Sequence, residues 1–250
     1  MGALELHAEG IVVRFGGITA VSDVSLDARR SQVLGLIGPN GAGKTTLLNA
    51  LSGFAPLSAG KVTFGDTDVT TRTPQWRARR GLVRSFQAVR VFEGLTVREN
   101  VEVGAVGTGR RRRAARGATV DLLALTGLGR LADRPASSLP AGQQRQLSLA
   151  RALAARPVFL LLDEPAAGLD EGESEELAAA IRRIPTEFDA GVVLVEHDMS
   201  VVMKVCDRIQ VLDHGSTIAV GERETIRTDP EVIRAYLGEQ STADGGEVGA

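Results

Sequence analysis

An α/β fold with a largely parallel core sheet is predicted by three features of this 250-residue chain. Apolar runs of strand length alternate with helical patterns along it. One such run, Val33-Leu34-Gly35-Leu36-Ile37, leads into the glycine-rich stretch Gly38-Pro39-Asn40-Gly41-Ala42-Gly43-Lys44-Thr45. Another, Val158-Phe159-Leu160-Leu161-Leu162, ends in the acids Asp163 and Glu164. Continuously apolar strands need cover on both faces, and the helices of an α/β domain supply it.

Residues 4–6, 11–15 and 21–26 read as short strands of alternating polarity. The run 33–37 reads as a buried strand, and Thr46-Leu47-Leu48-Asn49-Ala50-Leu51 as the first turns of a helix that Gly53 caps. Lys61-Val62-Thr63-Phe64 is a further β-rich stretch. Residues 96–134 change character: they are helical in pattern and rich in arginine, which predicts a small helical lobe over about 88–156. A Leu- and Ala-rich amphipathic helix covers 144–155. Residues 173–184 form another amphipathic helix, which Pro185 ends because proline lacks the N–H that the next turn needs. The run 192–195 is the last continuously apolar strand. One domain accounts for 1–238, and the polar, Gly-rich stretch 239–250 is predicted to be disordered.

Composition narrows the function. Hydrophobic content of 43% and charged content of 24% are those of an ordinary soluble globular protein. A formal net charge of −2 gives no electrostatic case for nucleic acid, and no nucleic-acid partner is expected. Trp76 and Tyr236 are each the sole residue of their type, too few for a base-stacking platform. Cys206 is the only cysteine, which excludes an internal disulfide and a Cys-based zinc cage. No apolar run approaches the ~20 residues needed to span a bilayer. The start of the chain has no apolar signal region, so a cytoplasmic location is expected, with any membrane association made through a partner.

The loop 38–45 fits the phosphate-binding pattern G-x-x-x-x-G-K-[ST] at every fixed position, in the strand–loop–helix context that gives the pattern meaning. Its glycines let backbone N–H groups close around a polyphosphate. The helix start, with Thr46, adds unpaired amides and a positive dipole end. Lys44 then reaches the β/γ-phosphates and the Thr45 hydroxyl sits on Mg²⁺. A nucleoside triphosphate is the ligand this pattern predicts. Asp163 and Glu164, at the C-terminal end of a buried strand, fall in the ligand crevice of an open sheet. Asp163 suits Mg²⁺, directly or through water. Glu164 suits the attacking water, since in phosphoryl transfer a protein mainly positions groups and stabilises charge.

Further motifs follow in a fixed order: Arg84-Ser85-Phe86-Gln87, Leu139-Pro140-Ala141-Gly142-Gln143-Gln144, Asp163-Glu164, Gly168-Leu169-Asp170 and His197. In that order and spacing they resemble the ATPase subunits of ABC transporters, over roughly residues 4–238. The resemblance implies a P-loop NTPase core, an N-terminal antiparallel β subdomain and a small helical subdomain bearing the signature. It implies ATP and Mg²⁺ as ligands. Phe15 would stack on the adenine ring, Gln87 would contact Mg²⁺ and the lytic water, and His197 would hydrogen-bond the γ-phosphate. Leu139, Pro140, Ala141, Gly142, Gln143 and Asp170 would face the ATP held by a second subunit.

The signature departs from the commonest form, Leu-Ser-Gly-Gly-Gln: Pro140 replaces the serine and Ala141 the first glycine. Losing the hydroxyl removes one hydrogen bond to a charged acceptor, worth about 1.5–3 kcal/mol. The segment still suits a helix start, with Pro in the first turn and the exposed N–H groups of Gly142 and Gln143 behind it. Slower or weaker closure of the ATP sandwich is expected, with activity retained. The same departure is similar to the ATPases of branched-chain amino acid importers. So are Arg14-Phe15-Gly16-Gly17-Ile18-Thr19-Ala20-Val21, Glu164-Pro165-Ala166-Ala167-Gly168-Leu169, Glu196-His197-Asp198-Met199 and Ala235-Tyr236-Leu237-Gly238-Glu239. Between 103 and 120 the chain is shorter than usual for that subfamily and carries Arg110-Arg111-Arg112-Arg113. That run reads as a solvated loop, an anionic-lipid contact or a phosphate contact.

By resemblance the partners are membrane permease subunits, a second ATPase subunit paired head to tail (identical or different), and indirectly a substrate-binding protein. The location is then the cytoplasmic face of the membrane. Three alternatives stand beside an importer of branched-chain amino acids or related small polar solutes. One is an ABC ATPase for another cargo, such as urea, an amide or a lipid. The second is a soluble ABC-type ATPase acting on ribosomes or DNA, disfavoured by the single nucleotide unit and the lack of a long coiled coil. The third is a subunit that binds ATP without cleaving it, against which Lys44, Asp163, Glu164 and His197 all stand.

Overall fold

The computed structural model describes residues 5–86, 91–109 and 112–243. Strands β1 (Glu5–Phe15) and β2 (Ile18–Arg29) are longer than the alternation predicts. Register shifts between Ala8 and Ile11, and again before Arg14, let each strand carry on through a break in period. Gly16-Gly17 turns between them. They are followed by β3 (Val33–Ile37), α1 (Lys44–Ser52), β4 (Ala59–Phe64), the short β5 (Thr67–Asp68), α2 (Pro74–Arg79) and β6 (Leu82–Arg84). Strands β2-β1-β4-β5 form an antiparallel sheet in that order.

The helical lobe holds α3 (Val97–Gly107), α4 (Arg112–Leu125) and α5 (Ala141–Ala154). Thr96 caps α3 in a reciprocal pair with Glu99, which satisfies two amides at the helix start. Beyond the lobe come β7 (Phe159–Asp163), α6 (Glu171–Phe188), β8 (Gly191–Val195), α7 (Met199–Val205), β9 (Arg208–Asp213), β10 (Ser216–Gly221), α8 (Arg223–Thr228) and α9 (Pro230–Ala243). The core sheet runs β10-β9-β3-β8-β7-β6, parallel at every pairing except the edge pair β9–β10. A mainly parallel core beside an antiparallel sheet is the architecture expected from the sequence.

Three expectations about boundaries need correction. Pro185 does not end its helix: α6 continues to Phe188, with Ile184 and Pro185 buried and Phe188 packed against the core. Burial of that apolar stripe outweighs the ~3 kcal/mol that an interior proline costs. The last helix, α9, runs to Ala243, beyond the end of the domain read from the sequence; residues 244–250 lie outside the described residues. Of the arginine run, Arg112 and Arg113 start α4, while Arg110 and Arg111 lie outside the described residues.

All five residues of β3, β7 and β8 are buried, and their alternation divides them between two cores. Leu160, Leu162, Val192 and Leu194 face the core shared with the helical lobe, α6 and α7. Phe159, Leu161, Val193 and Val195 face the core shared with α1 and the antiparallel sheet. The period of two in β7 therefore turns Asp163 to the α1 side, the side of the glycine-rich loop. Buried Arg77 secures the far end of α1: its guanidinium donates to the carbonyls of Ala50 (3.0 Å), Leu51 (2.5 Å), Thr70 and Arg72. Burial lowers its pKa to about 10, so it stays charged at neutral pH and suits the negative end of the helix.

Helix α3 lies close on α5, and Gly104 permits it. A Cβ at Gly104 would collide with the backbone carbonyl of Arg151. Gly104→Ala is expected to destabilise the protein by about 1–3 kcal/mol through overpacking, seen as a drop of several degrees in Tm. An unchanged Tm would contradict that close approach.

Candidate functional site

The glycine-rich loop is held from beneath and open above. Ala42 is buried, its carbonyl accepts from Gly215 (3.1 Å), and Gly215 in turn accepts from Ser22 (2.8 Å). At Gly38, φ is 144° and a Cβ would strike the carbonyl of Leu212; at Gly43, φ is 98° and a Cβ would lie 2.5 Å from the carbonyl of Ala20. Only glycine fits either position. Asn40, Gly41 and Thr45 are exposed along the crest, while Pro39 is buried. Lys44 is buried, and its Nζ donates to the carbonyls of Gly38 (2.7 Å) and Pro39 (2.8 Å). The first turn of α1, which includes Thr46, carries no acid of its own, so its positive end is left to groups that come from elsewhere in the fold.

At the end of β7, the Asp163 carboxylate divides its two oxygens. Oδ1 accepts from the Thr45 hydroxyl at 3.3 Å, and Oδ2 accepts from Arg84 Nη2 at 2.8 Å. Octahedral Mg²⁺ takes oxygen ligands at about 2.0–2.1 Å, which places two adjacent ligands roughly 3 Å apart. The Thr45 and Asp163 oxygens fit that spacing and that hard-oxygen chemistry. Among the described residues no three His, Cys, Asp or Glu side chains cluster as a metal cage. Such a donor pair suits an ion that brings phosphate oxygens with it.

Glu164 leaves the strand at φ 44°, a left-handed conformation that non-glycine residues seldom adopt. Its N–H donates to the carbonyl of Val195 (2.9 Å), and its own carbonyl accepts from Arg145 of α5 (3.3 Å). The strain is held by bonds from two sides, and it turns the side chain off the line of β7. Two residues beyond Val195, His197 is half exposed, with Nδ1 3.7 Å from Glu196 Oε2. The carboxylate of Glu196, itself buried, accepts backbone N–H groups from Ala166 (2.8 Å), His197 (3.1 Å) and Asp198 (3.5 Å). Burial raises its pKa despite those bonds. One carboxylate thus ties the loop after Glu164 to the loop bearing His197.

Phe15 stands at the tip of the β1–β2 hairpin, 53% exposed and opposite the exposed Ile18. It is available as a ring face and is not a core residue. Gln87 lies outside the described residues. Asp170 caps α6: its side chain accepts from Glu173 N (2.8 Å), and Glu173 reaches back to Asp170 N. The signature belongs to the helical lobe. Leu139 points into that lobe's core, Pro140 is the N-cap of α5, and the helix begins at Ala141, with Gln143 half-buried. Gly142 is not exposed as expected, because the Glu173 carboxylate lies against it where a Cβ would be.

Four residues of this neighbourhood have no role of their own in the sequence reading: Arg145 and Asn49 stand in no motif, while Arg84 and Glu196 sit inside quoted motifs without an assigned function. Each acts on a group far away in the chain. A charged residue next to an apolar strand end was the one available hint, and it fits both Arg84 after Leu82-Val83 and Glu196 after Val195.

Comparisons with known proteins bear on the family and the fold. A family model described as ABC transporter matches residues 21–167. A second, described as branched-chain amino acid ATP-binding cassette transporter, matches residues 216–241. The chain is 42% identical over 249 residues to the high-affinity branched-chain amino acid transport ATP-binding protein LivG of Salmonella typhimurium, covering 94% of this chain and 98% of that protein. It is 41% identical over 249 residues, with the same coverage, to the corresponding protein BraF of Pseudomonas aeruginosa. Among solved structures, the ADP conformation of an ATP-binding cassette of an ABC transporter superposes with a TM-score of 0.86 at 29% identity, over 95% of this chain and all (100%) of that one.

Removing the Glu196 carboxylate strands the buried N–H of Ala166. Glu196→Ala is expected to cost about 1–3 kcal/mol, read as a lowered denaturation midpoint. A midpoint equal to that of the unaltered protein would show that this carboxylate does not tie the two loops.

Proposed function

The chain belongs to the ABC transporter family as an ATP-binding subunit that hydrolyses ATP, and we propose that it powers a membrane importer of branched-chain amino acids. The observation that carries the reading is the meeting of Thr45 and Asp163 above an acid-free helix start, with Lys44 beside them. Cargo is argued from relatives whose names assign them to high-affinity branched-chain amino acid transport.

In this reading the phosphates of ATP lie on the crest of the loop, and Lys44 exchanges two loop carbonyls for β/γ-phosphate oxygens. Phe15 stacks on the adenine. Thr45 and Asp163 would hold Mg²⁺, which would supply charge neutralisation on the phosphates. Glu164 orients and polarises the attacking water, and His197 donates a hydrogen bond to the γ-phosphate. Gln87 joins the metal and the water, as the family pattern implies. The catalytic work is positioning and charge stabilisation.

Two ATPase subunits pair head to tail, so that Pro140, Ala141, Gly142, Gln143 and Asp170 of one face the ATP of the other. The signature amides must be cleared for that ATP, which requires Glu173 to swing away from Gly142. No helix among the described residues is long and apolar enough to cross a membrane. Attachment to the cytoplasmic face is through permease subunits. The groove between α2, β6 and the helical lobe suits such a partner: Phe86 and Phe92 are each about half exposed on its wall, at 50% and 48%.

Glu164→Gln is expected to keep ATP binding while hydrolysis falls by orders of magnitude, measured as phosphate release; near-normal turnover would sink the role given to Glu164. Lys44→Ala is expected to weaken ATP binding itself, and an unchanged ATP titration would count against the loop. In cells lacking this chain, uptake of labelled leucine should fall and return with the unaltered gene but not with Lys44→Ala. Leucine uptake that is indifferent to the chain would reject the cargo.

A further inference from the structure

We propose that Arg84 is a positioning residue that aims the Asp163 carboxylate at Thr45 and ties it to the aromatic wall of the groove. The proposal rests on the Mg²⁺–ATP reading above and adds a residue that the reading does not use.

Arg84 ends β6, the edge strand beside β7, and its side chain is 5% exposed against 3% for Asp163. Its fork reaches two elements at once. Nη2 donates to Asp163 Oδ2 (2.8 Å), while Nη1 donates to Asn49 Oδ1 (2.5 Å) and Ser52 Oγ (3.0 Å) in the last turns of α1. With Oδ2 held by Arg84, Oδ1 is left facing Thr45 at 3.3 Å. Lysine could not do this, because a single ammonium cannot hold both directions of a planar fork.

The guanidinium also lies over two rings, with its carbon 5.2 Å from the centroid of Phe86 and 5.8 Å from that of Phe54. The rings meet edge to face at 5.2 Å and 83°. Both are half exposed, Phe86 at 50% and Phe54 at 52%, and Phe86 lines the groove, so its outer side faces whatever occupies it. The metal carboxylate and the groove wall are therefore joined through one rigid side chain.

A purely stabilising role explains this poorly. A buried ion pair adds little net stability over apolar packing of similar volume. Arg84 Nε, moreover, is buried without an acceptor among the described residues. What the arrangement does supply is direction. Partners of a metal-binding side chain typically change metal affinity by about 10–100-fold when removed.

The test is binding of trinitrophenyl-ATP to the full chain, first in EDTA and then through a Mg²⁺ titration, with Tm measured alongside. Arg84→Met is expected to leave EDTA affinity within about twofold and to raise half-saturating Mg²⁺ about tenfold, with Arg84→Lys between the two. Phe86→Ala, which spares the ion pair, is expected to raise it about threefold by freeing the guanidinium. Half-saturating Mg²⁺ equal to the unaltered protein's in a folded Arg84→Met overturns the proposal. If that variant loses its fold, an unchanged Mg²⁺ dependence in Phe86→Ala overturns it instead. Failure of the unaltered protein to bind the probe overturns the nucleotide reading itself, and this inference with it.

Discussion

Thr45 meets Asp163 because α1 runs back across the core sheet, from the loop after β3 to the ends of β7 and β6. Every other part of the site is arranged around that crossing. It sets the start of α1, with Lys44, beside the carboxylate that β7 delivers. It sets the end of α1 beside Arg84, where Asn49 and Ser52 take the fork. Arg77 holds the final carbonyls of the same helix, so neither end of α1 shifts without breaking buried charge-assisted bonds. Alternation along β7 does the rest: a register slip of one residue would turn Asp163 into the opposite core.

Local, contiguous signals made part of this legible in the sequence. The buried strands, the glycine-rich loop between β3 and α1, the acids at a strand end and the Gly53 cap each occupy a single stretch, and each lies where the sequence places it. The mainly parallel core was legible for the same reason. Features that depend on distant partners were not. The bulges that lengthen β1 are set by pairing with both β2 and β4. Pro185 stays inside α6 because tertiary burial outvotes a local propensity. Arg84 and Glu196 look like ordinary charged residues until the sheet brings Asp163 and Ala166 to them. Gly142 looked exposed because its cover, Glu173, comes from another helix.

The site is preorganised in some parts and occupied in others. Glu164 is held in a strained backbone by Val195 and Arg145, and such strain persists where the surroundings over-determine it. By contrast, Lys44 rests on loop carbonyls and Glu173 rests on Gly142, so in the proposed reading both exchange partners when phosphate arrives. Lys44 Nζ is bound by two loop carbonyls, and the Glu173 carboxylate covers Gly142. In the proposed reading, nucleotide binding is thereby coupled to motion at the signature, the segment in which Pro140 and Ala141 depart from the common pattern.

The central claim is that this ATP site drives permease subunits. Affinity purification of the tagged chain from membranes gently solubilised in detergent, with mass spectrometry of what accompanies it, tests that claim most directly. The account expects two polytopic permease subunits and a second ATPase, together with a route to the binding protein whose ligand is the cargo. Ribosomal or DNA-associated proteins without any permease would contradict it, leaving an ATPase whose work lies away from the membrane.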